Sequence, residues 1–277
     1  MKCSKPVALE TGPVPCGQCM SCRVNKSRKW AGKLILESHS QGDKFNYFVT
    51  LTYDEGNLPA GGTLDKEHGK LFRQALRDQL GPVRFFWVGE YGSQLSRPHY
   101  HAMLFGIDWS VDILAVLQKC WKRGFVSADH FNTTRAGYIA QYCTKKITGP
   151  KADSHYGSRL PEFSQMSRRP ALGDHAVDTV LAPFYRTKAG QVFLERNGDV
   201  VAGFRHEGAI YPLTNRHTRR LRVFAGLPET LADLRLLNPE AIPPTELPDV
   251  GELAGRRQRE VQIETRTKIF RQKTHTI

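Results

Sequence analysis

No run of about 18 apolar residues occurs in this chain of 277, so a helix able to cross a membrane is not expected. The opening Met1-Lys2-Cys3-Ser4-Lys5-Pro6 lacks the apolar core of a signal peptide, which leads us to expect an intracellular protein. In that compartment its six cysteines are thiols or metal ligands rather than disulfides. There is no G-x4-G-K-[S/T] loop, hence no sign of an ATP site, and no internal repeat. Acid is also scarce. Lys and Arg outnumber Asp and Glu by 40 to 27, giving a net charge of +13 and a pI near 9.6. That surplus is the electrostatic footprint of a binder of nucleic acid or another anionic surface, although alone it accounts for nothing beyond solubility.

What is present begins with Arg97-Pro98-His99-Tyr100-His101-Ala102-Met103-Leu104-Phe105-Gly106, which reads as a strand. Residues i and i+2 of a strand share a face, so His99 and His101 project together while Tyr100 faces away. Glu90 closes the preceding strand-like run from Val83. If the two runs pair as an antiparallel hairpin, its carboxylate joins the imidazoles. Two His and one carboxylate with open positions suit a divalent metal that must also hold substrate oxygens. About forty residues on, the stretch around Tyr138-Ile139-Ala140-Gln141-Tyr142-Cys143-Thr144-Lys145-Lys146 reads as a helix, with Thr133 or Thr134 as N-cap and Gly149-Pro150 as stop. Tyr138 and Tyr142 are one turn apart on one face, flanked by Lys145. A phenol is a poor nucleophile at neutral pH, yet tyrosine forms covalent intermediates once activated. With a metal polarising a phosphodiester and lysines steadying charge, a phosphotyrosyl transfer fits, and paired tyrosines suggest two successive transfers. Alone, a His-x-His pair is usually hydrogen-bonded, an i, i+4 tyrosine pair usually packs a core, and one Glu is usually a surface acid. The combination discriminates.

These residues carry a family resemblance. His99-Tyr100-His101 resembles the His-hydrophobe-His motif of HUH endonucleases, and Tyr138 with Tyr142 resembles the two-tyrosine motif of their replication initiators. Four blocks in order resemble the initiators of gokushovirus-type Microviridae, small circular single-stranded DNA phages. They are Pro15 to Arg23, Phe48 to Tyr53, Gly89-Glu90-Tyr91-Gly92 leading to Arg97-Pro98-His99-Tyr100-His101, and the tyrosine helix. A fifth, Met166 to Gly173, is also similar. The resemblance covers roughly residues 15 to 175. It implies a site-specific single-stranded DNA nicking-and-joining endonuclease acting at a replication origin. Glu90, His99 and His101 would hold Mg²⁺ or Mn²⁺, and Tyr138 or Tyr142 would form a 5′-phosphotyrosyl bond. It further implies a host polymerase extending the freed 3′ hydroxyl, a host helicase, and work in the cytoplasm of the bacterial host. Gln141 stands where such initiators often carry a Lys or Arg before the second tyrosine, leaving open whether Lys145 or Lys146 assists. A relaxase or single-strand transposase would share the site. A zinc-containing nucleic-acid binder without catalysis is the alternative from another class.

Cys16, Cys19 and Cys22 form C-x2-C-x2-C, with Cys3 thirteen positions upstream. Four thiolates would make a closed structural zinc site able to fold a proline-rich segment that has no core of its own. An iron–sulfur cluster uses similar spacing, unligated thiols are the bland reading, and His39 is a substitute for Cys3. Cys120 and Cys143 read as ordinary buried residues.

The resulting organisation is a Cys-rich segment over 1–22, an HUH endonuclease core over 23–150, an accessory α/β extension over 151–237, and a Pro-rich linker with a charged tail over 238–277. The pattern predicts a basic helix over 23–38, whose Arg23, Lys26, Arg28 and Lys29 are candidates for DNA phosphates. It then predicts strand 45–53, helix 64–80 capped by Thr63, strands 83–90 and 97–106, helix 110–121 and strand 124–127. We therefore expect an α+β protein. Its ferredoxin-like, split βαβ antiparallel sheet would be flanked by helices on one face and preceded by the small zinc-binding segment. Beyond 150, strands are expected at Gln191–Leu194 and Val200–Phe204. Arg216, Arg219, Arg220 and Arg222 form a further basic cluster, read either as a solvated face or as phosphate contacts.

Overall fold

Alternating side chains over 45–53 and 84–107 decide the architecture: each strand has one parity that is buried on one face and another that is buried on the other. The computed structural model describes residues 2–10, 12–41, 44–145, 147 and 151–237. In chain order the elements are β1 (Val7–Leu9), β2 (Gly12–Val14), α1 (Met20–His39), β3 (Phe45–Tyr53), α2 (Lys66–Leu80), β4 (Arg84–Tyr91), β5 (Pro98–Ile107), α3 (Ile113–Cys120), β6 (Gly124–His130) and α4 (Thr133–Lys145). They continue with α5 (Lys151–Tyr156), β7 (Phe163–Met166), the single turn α6 (Asp174–Ala176), α7 (Lys188–Asn197), β8 (Gly203–His206), β9 (Ala209–Pro212), α8 (Asn215–Phe224) and α9 (Leu231–Leu237). The linker and tail expected over 238–277 lie outside the described residues. None of the described helices is long and apolar enough to cross a membrane.

Two compact units form, one from residues 33–176 and one from residues 1–32 with 177 onward. The first is built on a five-stranded antiparallel sheet ordered β6-β3-β5-β4-β7. The expected strand–helix–strand–strand–helix–strand sequence supplies the first four of these positions, and β7 adds a strand the pattern did not announce. On one face, Val49, Leu51 and Tyr53 of β3, Trp87 of β4, and Tyr100, Ala102 and Leu104 of β5 pack against Phe72 and Leu76 of α2 and Leu117 of α3. Gly69 lets α2 lie directly on Trp87, since a Cβ there would come within 3.0 Å of the indole. The expectation of helices on one face alone is corrected: α4 covers the opposite face, where its Tyr138 ring meets Phe48 of β3 and His101 of β5. On that face too, buried Glu37 of α1 accepts from Arg84 of β4 and from the Gly173 N–H.

Capping differs from expectation in two places. Asp65, not Thr63, caps α2 by accepting from the Glu67 N–H, because Thr63 Oγ is engaged by Leu64 O and Leu160 N. Asn132, not Thr133 or Thr134, accepts from the Arg135 N–H at the start of α4.

In the other unit, β1 and β2 form a two-stranded sheet within the stretch expected to be loop. Gln191–Leu194 is helical rather than extended. Thr187 accepts from the Gly190 N–H at the start of α7 and left-handed Gly198 ends it. The β8–β9 hairpin takes a hydrogen bond from Arg28 to Ile210 O. Most of the arginine cluster on α8 is accounted for internally: Arg220 pairs with Asp178, and buried Arg222 pairs bidentately with Asp199 at 2.7 Å.

Candidate functional site

The hairpin of β4 and β5 builds the site by register. Glu90 lies directly opposite His99, and Val88 opposite His101. Opposed residues of antiparallel strands point the same way, so the carboxylate and both imidazoles converge on one face. Each imidazole Nε2 sits 3.6 Å from Glu90 Oε2, and one ligand atom from each residue lies within 4.8 Å of the others. Such gaps are too long for hydrogen bonds, and two donors on one ion at about 2.1 Å lie at most about 4.2 Å apart, so 3.6 Å fits a shared ion.

The far side of each ring is fixed. His99 Nδ1 is 3.1 Å from Arg97 O, and a carbonyl only accepts, so Nδ1 carries the proton and Nε2 keeps its lone pair. His101 Nδ1 is 3.0 Å from Thr50 Oγ1, which lies opposite it on β3. Outer partners of this kind orient metal ligands. Thr50→Val is expected to weaken Mn²⁺ binding about 10- to 100-fold, readable by titration calorimetry, with the melting temperature little changed. Unaltered affinity would remove Thr50 from the site.

From α4, both tyrosines reach the same spot. Tyr142 stacks on His101 with ring centroids 5.4 Å apart, Tyr138 meets His101 edge-on at 5.5 Å, and the phenols contact each other at 5.1 Å. Tyr142 is buried and Tyr138 half-buried. Burial raises the pKa of both phenols, and the charge of Glu90 raises them further. Tyr142 shares hydrogen bonds with Tyr138 and Glu90. The structure thus brings together five of the seven expected catalytic and metal-binding residues. Lys146 and the side chain of Lys145 lie outside the described residues. Thr50 was missed, though its place on a strand paired with the His strand was a usable signal.

A second cluster joins Cys3, Cys16, Cys19 and Cys22, again with all four ligand atoms within 4.8 Å. Sulfurs tetrahedrally arranged about zinc at about 2.3 Å would be about 3.8 Å apart. The Cys3–Cys16 and Cys3–Cys19 separations are 3.5 and 3.8 Å. Burial works against ionising Cys19, but hydrogen bonds from Cys22 and Ser4 outweigh it and bring its pKa to about 6. Burial pushes Cys22 up to about 12. The described residues form no disulfide. Donor set and spacing both fit a metal. Of the candidate phosphate-binding residues on α1, Lys26 and Arg28 are exposed, while Arg23 and Lys29 are half-buried. Arg23 donates to Gln18 O.

Residues 46–147, a span holding the acid, both histidines and both tyrosines, match the family model for the replication-associated protein ORF2. The chain is 29% identical over 199 residues to replication-associated protein ORF4 of Chlamydia phage 1, covering 64% of this chain and 49% of that one. It is 30% identical over 177 residues to replication-associated protein ORF2 of Spiroplasma virus 4, covering 56% and 54%. Replication-associated protein VP4 of Bdellovibrio phage phiMH2K is 26% identical over 162 residues, 51% of each chain. The chain therefore spans about half the length of the curated relatives it matches. No solved structure matches.

Proposed function

From a chain that carries a replication-associated domain of the ORF2 type and is similar to replication-associated proteins of phages, we propose a site-specific nicking-and-joining endonuclease that starts rolling-circle replication. The observation carrying this reading is the convergence of Glu90, His99 and His101 with Tyr138 and Tyr142 on one sheet face. The sheet is then an HUH nuclease core with its split βαβ order, extended by β7.

Glu90, His99 and His101 would hold Mg²⁺ or Mn²⁺. Such an ion polarises the phosphoryl oxygens of a bound phosphodiester. Thr50 and Arg97 O keep the two Nε2 lone pairs aimed at the site. Tyr138 or Tyr142 attacks phosphorus through its phenolic oxygen. The new Tyr O–P bond replaces the P–O3′ bond, the phenol gives up one proton and the departing 3′ oxygen gains one. The 5′ phosphate stays on tyrosine, and the 3′ hydroxyl serves a host polymerase behind a host helicase. In the reverse sense, a released 3′ hydroxyl attacks the phosphotyrosine and reseals the strand. One phosphodiester is exchanged for one phosphotyrosyl ester, so no nucleotide hydrolysis is required. Lys145 or Lys146 would steady the phosphate charge. Arg23, Lys26, Arg28 and Lys29 would bear on DNA phosphates, and the setting is the cytoplasm of the bacterial host.

The test is a denaturing gel of labelled single strands tiling the genome that encodes the protein, with Mn²⁺ or EDTA. A metal-dependent covalent adduct on one sequence is expected. Binding without an adduct in either Mn²⁺ or Mg²⁺ would leave a nucleic-acid binder that is not an enzyme.

Zn²⁺ on Cys3, Cys16, Cys19 and Cys22 would be structural. A thiol-modifying mercurial is expected to release about one equivalent of zinc, and Cys16→Ser with Cys19→Ser to bind none and melt at lower temperature. Zinc-free protein of unchanged melting temperature would reject the site.

A further inference from the structure

Four strands carry one straight row of side chains across the face that bears the candidate metal ligands. Glu90 of β4 lies opposite His99 of β5, His99 opposite Thr52 of β3, and Thr52 opposite Phe125 of β6. Phe125 therefore stands on the same face as the histidines, two strands from His99, about 10 Å at the usual strand spacing.

Its exposure sets it apart. Phe125 is 70% exposed, whereas Phe48, Phe86 and Phe105, of the same face, are at most 8% exposed. The ring is held in place from behind. Gly124 leaves no space for a side chain, because a Cβ would lie 2.4 Å from both Thr52 O and Asp54 N, so β6 presses onto β3 at the residue before Phe125. Between Thr52 and His99 on one side and Leu95 and Arg97 of the β4–β5 turn on the other lies an open cavity of about 290 Å³. Leu95 is 85% exposed at its rim, and exposed Lys122 precedes Phe125 by three positions. An occupant of this row must offer a flat apolar surface to the ring and negative charge to the three-ligand site. A single nucleic-acid strand has both, with bases that stack on aromatic rings and a phosphate backbone between them.

We propose that Phe125 is a stacking platform for a nucleobase of the bound single strand, which runs along the row from Phe125 across Thr52 to the phosphate at His99. This rests on the nuclease reading for the identity of that phosphate. Phe125 touches a base and not the reacting atoms, so it is a binding and positioning residue.

The experiment measures binding of fluorescent single-stranded oligonucleotides by the full chain in EDTA, where cleavage does not intervene. Phe125→Ala and Phe125→Leu are expected to weaken binding roughly 5- to 150-fold, while Phe125→Trp retains it. On a series of strands each lacking one base, the penalty of Phe125→Ala is expected to vanish at one position, where there is no base left to stack. Binding by the Ala and Leu variants within about twofold of the parent, set against that expected range, would overturn the proposal. So would a penalty that persists at every abasic position, since it would mark a merely structural role. The Mn²⁺ adduct assay separates the two readings. An adduct formed by a protein whose binding ignores Phe125 rejects the platform alone, and position-dependent stacking without any adduct rejects the nuclease alone.

Discussion

Converting Tyr138 and Tyr142 together to Phe abolishes the covalent protein–DNA adduct while single-strand binding persists. Each change deletes one phenolic oxygen and keeps the ring. The stack of residue 142 on His101 and the edge contacts of residue 138 with Phe48 and His101 therefore survive. Removing a covalent nucleophile elsewhere costs on the order of a millionfold, which places the double variant below detection on a gel. Either single variant should still form the adduct, because the two hydroxyls occupy one spot beside Glu90. It should fail to release a closed circle, a step that needs the second oxygen. A double variant that still cleaves would move the nucleophile off α4.

Alanine at Glu90, His99 or His101 is the other large effect. Each residue supplies one of three donors, so its loss leaves two, too few to hold an ion that must also meet substrate. Lewis-acid stabilisation of a phosphoryl transition state is worth several kcal/mol, so cleavage should fall on the order of a thousandfold or more. Mn²⁺ binding measured by calorimetry should disappear in the same proteins. Circular dichroism should show the sheet intact, since the core face of β4 and β5 is untouched. Cleavage at the parental rate in His101→Ala would sink the metal site. Loss of cleavage with undiminished Mn²⁺ binding would do so too.

Much of this site was legible because a strand has the simplest periodicity. The spacing of His99 and His101 fixed their common face, and the run ending in Glu90 needed only the hairpin to bring its carboxylate opposite His99. The order of elements from Phe45 to Lys145 was legible for the same reason. What escaped depends on distance along the chain. Arg220 and Arg222 read as surface charge, yet their partners Asp178 and Asp199 lie 42 and 23 residues away. β7 is four residues, Phe-Ser-Gln-Met, too short for alternation to declare itself. Gln191 to Leu194 carries strand-like residues, but Thr187 at one end and Gly198 at the other commit it to a helix. Phe125 was placed on a strand, but its exposure depends on which strand forms the edge of the sheet.

Tyr100 sits between the two histidines in sequence and behind them in space. Its ring is fully buried and stacks on Trp87 at 5.0 Å. Its hydroxyl donates to Asp65 O, accepts from Asp65 N and meets the Tyr53 hydroxyl at 2.8 Å. A slip of β5 by one residue would carry this phenol to the other side of the sheet and drive both imidazoles into the core. The strand therefore has a single stable phase, chosen by a residue that never meets the substrate. His99 or His101 can be exchanged without shifting that phase, whereas losing Tyr100 unsettles every position of β5 at once. The reactive surface is free to drift by replacement in place, and its geometry is inherited from the packing beneath it.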